Sequence, residues 1–249
     1  MKAVTRVPHT VTDKPLTAWF KSRDWKPLPF QRALWRHYLQ GESGLLHTPT
    51  GSGKTLGAIG GPLLEALARP LDPSRKKNAS RALTILWVTP LKALASDTVR
   101  ALREPIEALE VGWQVGLRTG DASARDKRLA RAGKLDVLVT TPESLSLLLS
   151  YPDTAEHLKS LRCVIVDEWH ELLGNKRGVL LQLALARLRA LSPELRLWGL
   201  SATLGNVEEA RDVLLPHAPH SPIVSGVAPR KLKLETLMPA AGERFPWSG

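Results

Sequence analysis

Six short apolar runs, at residues 45–47, 83–88, 114–118, 136–140, 162–166 and 196–200, recur along the chain. A stretch with helical spacing follows each of them, at 54–68, 92–110, 123–132, 143–150, 177–190 and 207–215. A strand that is apolar at nearly every position must be covered on both faces, and an alternation of strand with helix supplies that cover. The expected fold class is therefore α/β, a mostly parallel sheet with helices on both faces. The segment FQRALWRHYLQ at 30–40 predicts an amphipathic helix ahead of the first strand, with Phe30, Leu34, Trp35 and Tyr38 on one side. Residues 1–29, rich in Pro, Thr and basic side chains, read as an arm packed against the domain. The polar stretch 69–82 reads as a surface loop. Residues 217–249, with a short β-like KLKLETL, read as the exit from the domain and a linker. The core domain is thus placed at 30–216.

Composition removes several classes. With 249 residues, 43% of them hydrophobic and 24% charged, the chain has the balance of a globular protein rather than a disordered one. Cys163 is the sole cysteine, so an intrachain disulfide framework is excluded. The longest apolar candidate, 178–191, is interrupted by Gln182, Arg187 and Arg189 and falls short of a membrane span. The polar start has no apolar signal core, and a reducing cytoplasm is the expected compartment. Thirty-five Lys and Arg against 24 Asp and Glu give a net charge of +11. That excess favours a polyanionic partner such as nucleic acid, with plain solubility as the alternative.

Three motifs carry chemistry. TPTGSGKT at 48–55 follows a short strand and opens a helix, the setting of a phosphate-binding loop. Gly51 and Gly53 allow the backbone to turn its N–H groups inward around Thr50 and Ser52. The helix start adds a positive dipole end. Lys54 offers a charge to the β- and γ-phosphates, and the Thr55 hydroxyl suits Mg²⁺. Thr48 stands where the general pattern has Gly. The second motif, DEWH at 167–170, follows an apolar strand. Asp167 can hold Mg²⁺, and Glu168 can polarise an attacking water. A helix-start acid pair is the alternative. The third, SAT at 201–203, places two hydroxyls at a strand end, where a turn or cap is equally natural.

The ordered set TPTGSGKT (48–55), TPLKAL (89–94), TGD (119–121), TTPES (140–144), DEWH (167–170) and SAT (201–203) resembles the first RecA-like lobe of a superfamily-two helicase of the DExH type. The likeness spans roughly residues 30–206. VIVDEWHELLGNKRGV (164–179), with LPFQR (28–32), is similar to the Lhr (large helicase-related) family, and within it to the bacterial ligase-associated DEXH-box helicases.

The resemblance implies a RecA-like P-loop NTPase fold that uses ATP and Mg²⁺ on a DNA or RNA strand, with DNA repair as the setting and 3′-to-5′ movement. It makes Gln31 an adenine reader. It assigns Lys54, Asp167 and Glu168 to catalysis, and His170, Ser201 and Thr203 to coupling of nucleotide state to strand grip. It places Thr89, Pro90, Lys92, Thr119, Gly120, Thr141 and Pro142 along the strand's phosphates, where hydroxyls, amides and a lysine suit sequence-independent contact. Asp121 would orient its loop. Without the other motifs, the TP dipeptides would be read as turn chemistry.

The family also needs a second RecA-like lobe with an arginine finger. Nothing after Asn206 resembles it, so the chain reads as a fragment that turns over poorly alone. A nucleotide-gated binding module without turnover is the alternative from another class, and an RNA helicase is the alternative substrate. A P-loop small-molecule kinase is a third possibility, in which the SAT and TP elements would have no task.

Overall fold

The structure is a computed structural model that describes residues 11–69, 83–202 and 204–226. In chain order the elements are α1 (Lys14–Ser22), α2 (Pro29–Leu39), β1 (Gly44–His47), α3 (Lys54–Ala68), β2 (Ile85–Val88), α4 (Lys92–Ala108), β3 (Val115–Arg118) and α5 (Ala124–Arg131). They continue with β4 (Val137–Thr140), α6 (Pro142–Leu149), α7 (Thr154–Leu158), β5 (Cys163–Val166), a 3₁₀ turn (Trp169–Glu171), α8 (Lys176–Leu191), β6 (Arg196–Ser201), α9 (Val207–Leu214) and β7 (Ile223–Ser225). The strands form one seven-stranded sheet in the order β3-β4-β2-β5-β6-β1-β7. Every strand pairing is parallel.

Alternating strand residues feed two cores. Ile85 and Trp87 of β2 face one, with Trp35, Ile59 and Leu102 from α2, α3 and α4. Leu86 and Val88 face the other, with Leu145, Leu185 and Leu214 from α6, α8 and α9. This period of two on strands buried on both faces is what a doubly covered parallel sheet requires.

Two boundaries differ from the sequence reading. The region expected to be an arm contains α1, whose Leu16, Trp19 and Phe20 are buried in the first core. Their i, i+3, i+4 spacing is helical, so the packed domain starts well before residue 30. The region expected to be a linker from 217 contains β7, which pairs with β1 at the sheet edge and buries Val224. Three residues are too few to show a strand period, and the sheet therefore runs to Ser225. KLKLETL lies outside the described residues, as does Thr203.

Helices α2 and α3 pack closely because α3 is smooth where they meet. A Cβ on Gly60 would overlap the Trp35 indole, and one on Gly61 would lie 2.7 Å from the Tyr38 ring. The Trp35 indole N–H donates to the Gly57 carbonyl at 3.0 Å. This contact carries the start of α2 to the loop ahead of α3.

Candidate nucleotide and nucleic-acid site

The loop between β1 and α3 rises at the C-terminal end of the sheet, where ligands of open parallel sheets bind. Gly51 and Gly53 have φ of 74° and 86°, in the left-handed region that glycine enters without a Cβ penalty. Thr50 and Gly51 are exposed, Ser52, Gly53 and Thr55 are half-buried, and Lys54 is buried. The Thr48 hydroxyl, itself fully buried, donates to Ser52 Oγ at 2.9 Å and braces the loop across its mouth. That bond gives a task to the residue that departs from the general pattern.

Gln31 is 2% exposed and spans two elements. Its Oε1 accepts the Leu28 N–H at 2.8 Å, and its Nε2 donates to the Gly53 carbonyl at 3.0 Å. Both partners fix the amide orientation. One lone pair and one N–H remain, the pair of groups that N6 and N7 of adenine require.

The acid motif follows β5, and the Asp167 amide donates to the Val88 carbonyl of β2 at 2.7 Å. Lys54 Nζ lies 3.5 Å from Asp167 Oδ1 and donates to Glu168 Oε1. The phosphate loop and the acid pair are thus brought together across the sheet from 113 residues apart in sequence (167 minus 54). Burial pushes the Asp167 carboxyl above its ordinary value, Lys54 opposes that, and the neighbouring Glu168 charge adds to it. Glu168 has φ 48° and ψ 46°, a left-handed conformation that costs a residue with a Cβ on the order of 1–3 kcal/mol. Such strain is retained where the surrounding structure imposes a side-chain direction.

One buried and one half-buried carboxylate, Asp167 and Glu168, against one ammonium form a donor set short of positive charge, and a divalent cation suits it. Thr55 and Asp167 would hold Mg²⁺. Among the described residues no group of three or more His, Cys, Asp or Glu side chains is arranged to hold a metal ion by itself. Mg²⁺ delivered with nucleotide needs fewer, because phosphate oxygens and water complete its shell.

His170 Nδ1 lies 3.0 Å from Ser201 Oγ and 3.6 Å from Glu168 Oε2. The Thr48 amide donates to the Ser201 carbonyl at 3.0 Å. The ends of β5, β6 and β1 therefore form one connected group.

The other half of the sheet edge gathers the loops after β2, β4 and β3. Here Lys92 and Gly120 are exposed, whereas Thr89, Pro90, Thr119, Thr141 and Pro142 are buried. The Thr89 hydroxyl accepts the Leu91 amide, and the Thr141 hydroxyl caps α6 by accepting the Ser144 amide, each at 3.4 Å. Those threonines perform the turn and cap chemistry that TP dipeptides favour. Lys127 Nζ donates to the Gly120 carbonyl at 2.7 Å, and a Cβ on Gly120 would lie 3.5 Å from Lys92 Nζ. The Thr119 hydroxyl foremost, with Lys92 and Lys127, holds the exposed Asp121 carboxyl below its usual value. Asp121 is thus tied into its own loop.

A family model described as DEAD/DEAH box helicase matches residues 28–210. The chain belongs to the DEAD/DEAH box helicase family. An Lhr helicase of Mycolicibacterium smegmatis is 39% identical over 233 residues, covering 89% of this chain and 15% of its own length. The Lhr-Core helicase of Methanocaldococcus jannaschii is 33% identical, covering 93% of this chain and 28% of its own. The solved structure of the Mycobacterium smegmatis helicase Lhr bound to ssDNA and AMP-PNP superposes with a TM-score of 0.74 at 38% identity, over 89% of this chain and 28% of that one. The fold is that of a RecA-like helicase lobe, and the chain spans between about one seventh and just over a quarter of these relatives' length. Among the described residues, no helix is long and apolar enough to cross a membrane.

Two charged residues of this DEAD/DEAH box lobe received no role from the sequence. Arg177 and Glu143 meet between the acid motif and the strand loops. Both lie inside segments that carry the family likeness, Glu143 in TTPES and Arg177 in the stretch 164–179, and Arg177 is further marked by standing with Lys176 in the first turn of a helix, where the dipole disfavours cations.

Proposed function

We propose that this chain is the ATP-binding motor lobe of an ATP-dependent helicase that moves along a nucleic-acid strand, DNA in the first instance, in the service of DNA repair. The observation that carries the reading is the meeting of Lys54 with Asp167 and Glu168 at the mouth of the phosphate loop. Lys54 is positioned to exchange its carboxylate partners for the β- and γ-phosphates of ATP. Gln31 would read the adenine edge. Glu168 would accept a proton from the attacking water. Mg²⁺, held by Thr55 and Asp167, would neutralise charge developing on the phosphates. His170 and Ser201, with Thr203, would relay the state of this end toward the strand. Lys92, Gly120 and the backbone of the threonine-proline loops would track its phosphates.

A second RecA-like lobe, contributing an arginine finger, would complete the site. Its absence costs about 10³–10⁵ in rate in related phosphoryl transfers. The chain alone is therefore expected to bind nucleotide weakly and to turn over slowly, and the cytoplasm, where ATP is plentiful, is the compartment we assign. DNA is favoured by the solved relative that carries ssDNA.

The test is ATP hydrolysis by the full-length polypeptide that contains this chain, with no nucleic acid, with ssDNA and with ssRNA. Stimulation by ssDNA supports the motor reading, and stimulation by ssRNA alone moves the substrate to RNA. A response to neither overturns it in favour of a nucleotide-gated binding module.

A further inference from the structure

The start of α8 carries a cation where helix electrostatics gives it no reason to be. Lys176 and Arg177 occupy the first turn, which contains no acidic residue, and both oppose the positive end of the helix dipole. Asn175 provides the cap, its side chain accepting the Gly178 amide at 3.0 Å, so Arg177 is not needed to start the helix. The next residue, Gly178, has no space for a Cβ because the Leu172 carbonyl presses on it. The start of α8 is thereby seated on the short turn that follows the acid pair.

From that seat the Arg177 guanidinium reaches across to two other loops. Its Nε donates to Glu143 Oε1 at 2.5 Å and its Nη2 to Glu143 Oε2 at 3.2 Å, a two-pronged pair. The same Nη2 donates to the Pro90 carbonyl at 2.9 Å. Glu143 follows Thr141 and Pro142 at the start of α6, and Pro90 precedes Lys92 at the start of α4. One side chain therefore ties both threonine-proline loops to the segment that carries Asp167, Glu168 and His170.

An isolated, half-exposed ion pair contributes little, but a forked pair with a third bond to backbone has the geometry that defines a position. The Arg177 bond is the main cause holding the Glu143 carboxyl below its usual range. Glu143 is also an anion on the face where a polyanionic strand would lie, and Arg177 offsets its repulsion.

We propose that Arg177 is a positioning residue for nucleic acid: it fixes the Pro90 and Glu143 loops to each other and to the acid-motif segment, so that strand grip is set from the nucleotide side. This rests on the motor reading above. The role differs from structural support alone, because it acts on the strand loops and not on the chemistry.

The test measures ATP turnover against ssDNA concentration for the full-length polypeptide and three variants. Arg177→Ala is expected to raise the half-saturating ssDNA concentration about tenfold, the worth of one charge-assisted hydrogen bond. Its kcat at saturating ssDNA is expected to stay within about twofold of the parent. Arg177→Lys should recover part of the loss, since one ammonium can pair with Glu143 but cannot supply the fork and the Pro90 bond together. Glu143→Gln should cost less than Arg177→Ala, because it removes an anion from the strand face while leaving the Pro90 tether. A half-saturation equal to the parent's in Arg177→Ala overturns the inference and leaves the motor reading standing. So does a fall in kcat and thermal midpoint together with no recovery in Arg177→Lys, which marks general disruption. A parent protein with no response to ssDNA removes both.

Discussion

The Ser201 hydroxyl and the His170 imidazole lie 3.0 Å apart, joining the end of β6 to the turn after β5. His170 also lies within 3.6 Å of Glu168, and Ser201 is hydrogen-bonded through its carbonyl to the phosphate loop. The pair therefore sits between the residue that would handle water and the loop that would hold phosphate. In the full-length polypeptide, Ser201→Ala should lower the ratio of ssDNA-stimulated to unstimulated turnover about tenfold, the effect of one part-buried bond in a coupled group. His170→Ala should do the same, and the double variant should be little worse than either. Additive losses in that cycle would show that the two side chains act separately.

Glu168 is held in a strained backbone conformation beside Lys54, with its carboxylate at the mouth of the phosphate loop. Replacing it with Gln keeps the shape and removes the base. Turnover should fall by about 10²–10⁴ while affinity for a fluorescent ATP analogue is retained. Phosphate release and anisotropy measured on the same preparation check both halves. Undiminished turnover would remove Glu168 from the proton-transfer role.

The sheet was legible in the sequence because its strands are covered on both sides and so are apolar almost throughout, as in Val137–Thr140 and Cys163–Val166. The phosphate loop and acid pair were legible because their chemistry is local. What escaped depends on length or on contacts across the fold. The three residues of β7 carry no period, and α1 announces itself only through Leu16, Trp19 and Phe20. The pairing of Arg177 with Glu143, 34 residues apart, exists only once α8 is packed on α6. The threonine-proline motifs were found at the right strand ends, but the burial of Thr89 and Thr141 is a property of packing that no motif displays.

Beneath the opposite end of the sheet, Glu65 is buried in a closed ionic group. It accepts from Arg196 at 2.7 Å, from Arg162 at 2.9 Å and from the Tyr38 hydroxyl at 2.9 Å. Burial alone would raise its carboxyl, but Arg196 foremost, with Tyr38 and Arg162, brings it below the usual 4.5. A carboxyl depressed in the folded state gives stability that is complete above its unfolded value and is lost as pH falls through its folded value. Unfolding by urea should therefore become easier below about pH 4.5. Glu65→Gln should flatten that acid limb. It should also cost about 3–5 kcal/mol near neutrality, because buried Arg196 loses its counter-charge. An acid limb identical in parent and variant would place the pH dependence elsewhere.

The close seat of α2 on α3 links fold stability to the nucleotide. A methyl at Gly60 would overlap the Trp35 indole, whose N–H is bonded to Gly57. Helix α2 would have to move away from α3, and Gln31 at its start would be drawn from the Gly53 carbonyl. Gly60→Ala should therefore destabilise by about 1–3 kcal/mol, as overpacking does, and lower the thermal midpoint by several degrees. It should also weaken ATP-analogue binding at a temperature where the variant is still folded. Gly205→Ala is the matched control, since its added Cβ meets nothing within 4 Å and its backbone is not in the left-handed region. If Gly60→Ala lost stability but bound nucleotide like the control, the seat of α2 on α3 would support the fold without setting the position of the Gln31 amide.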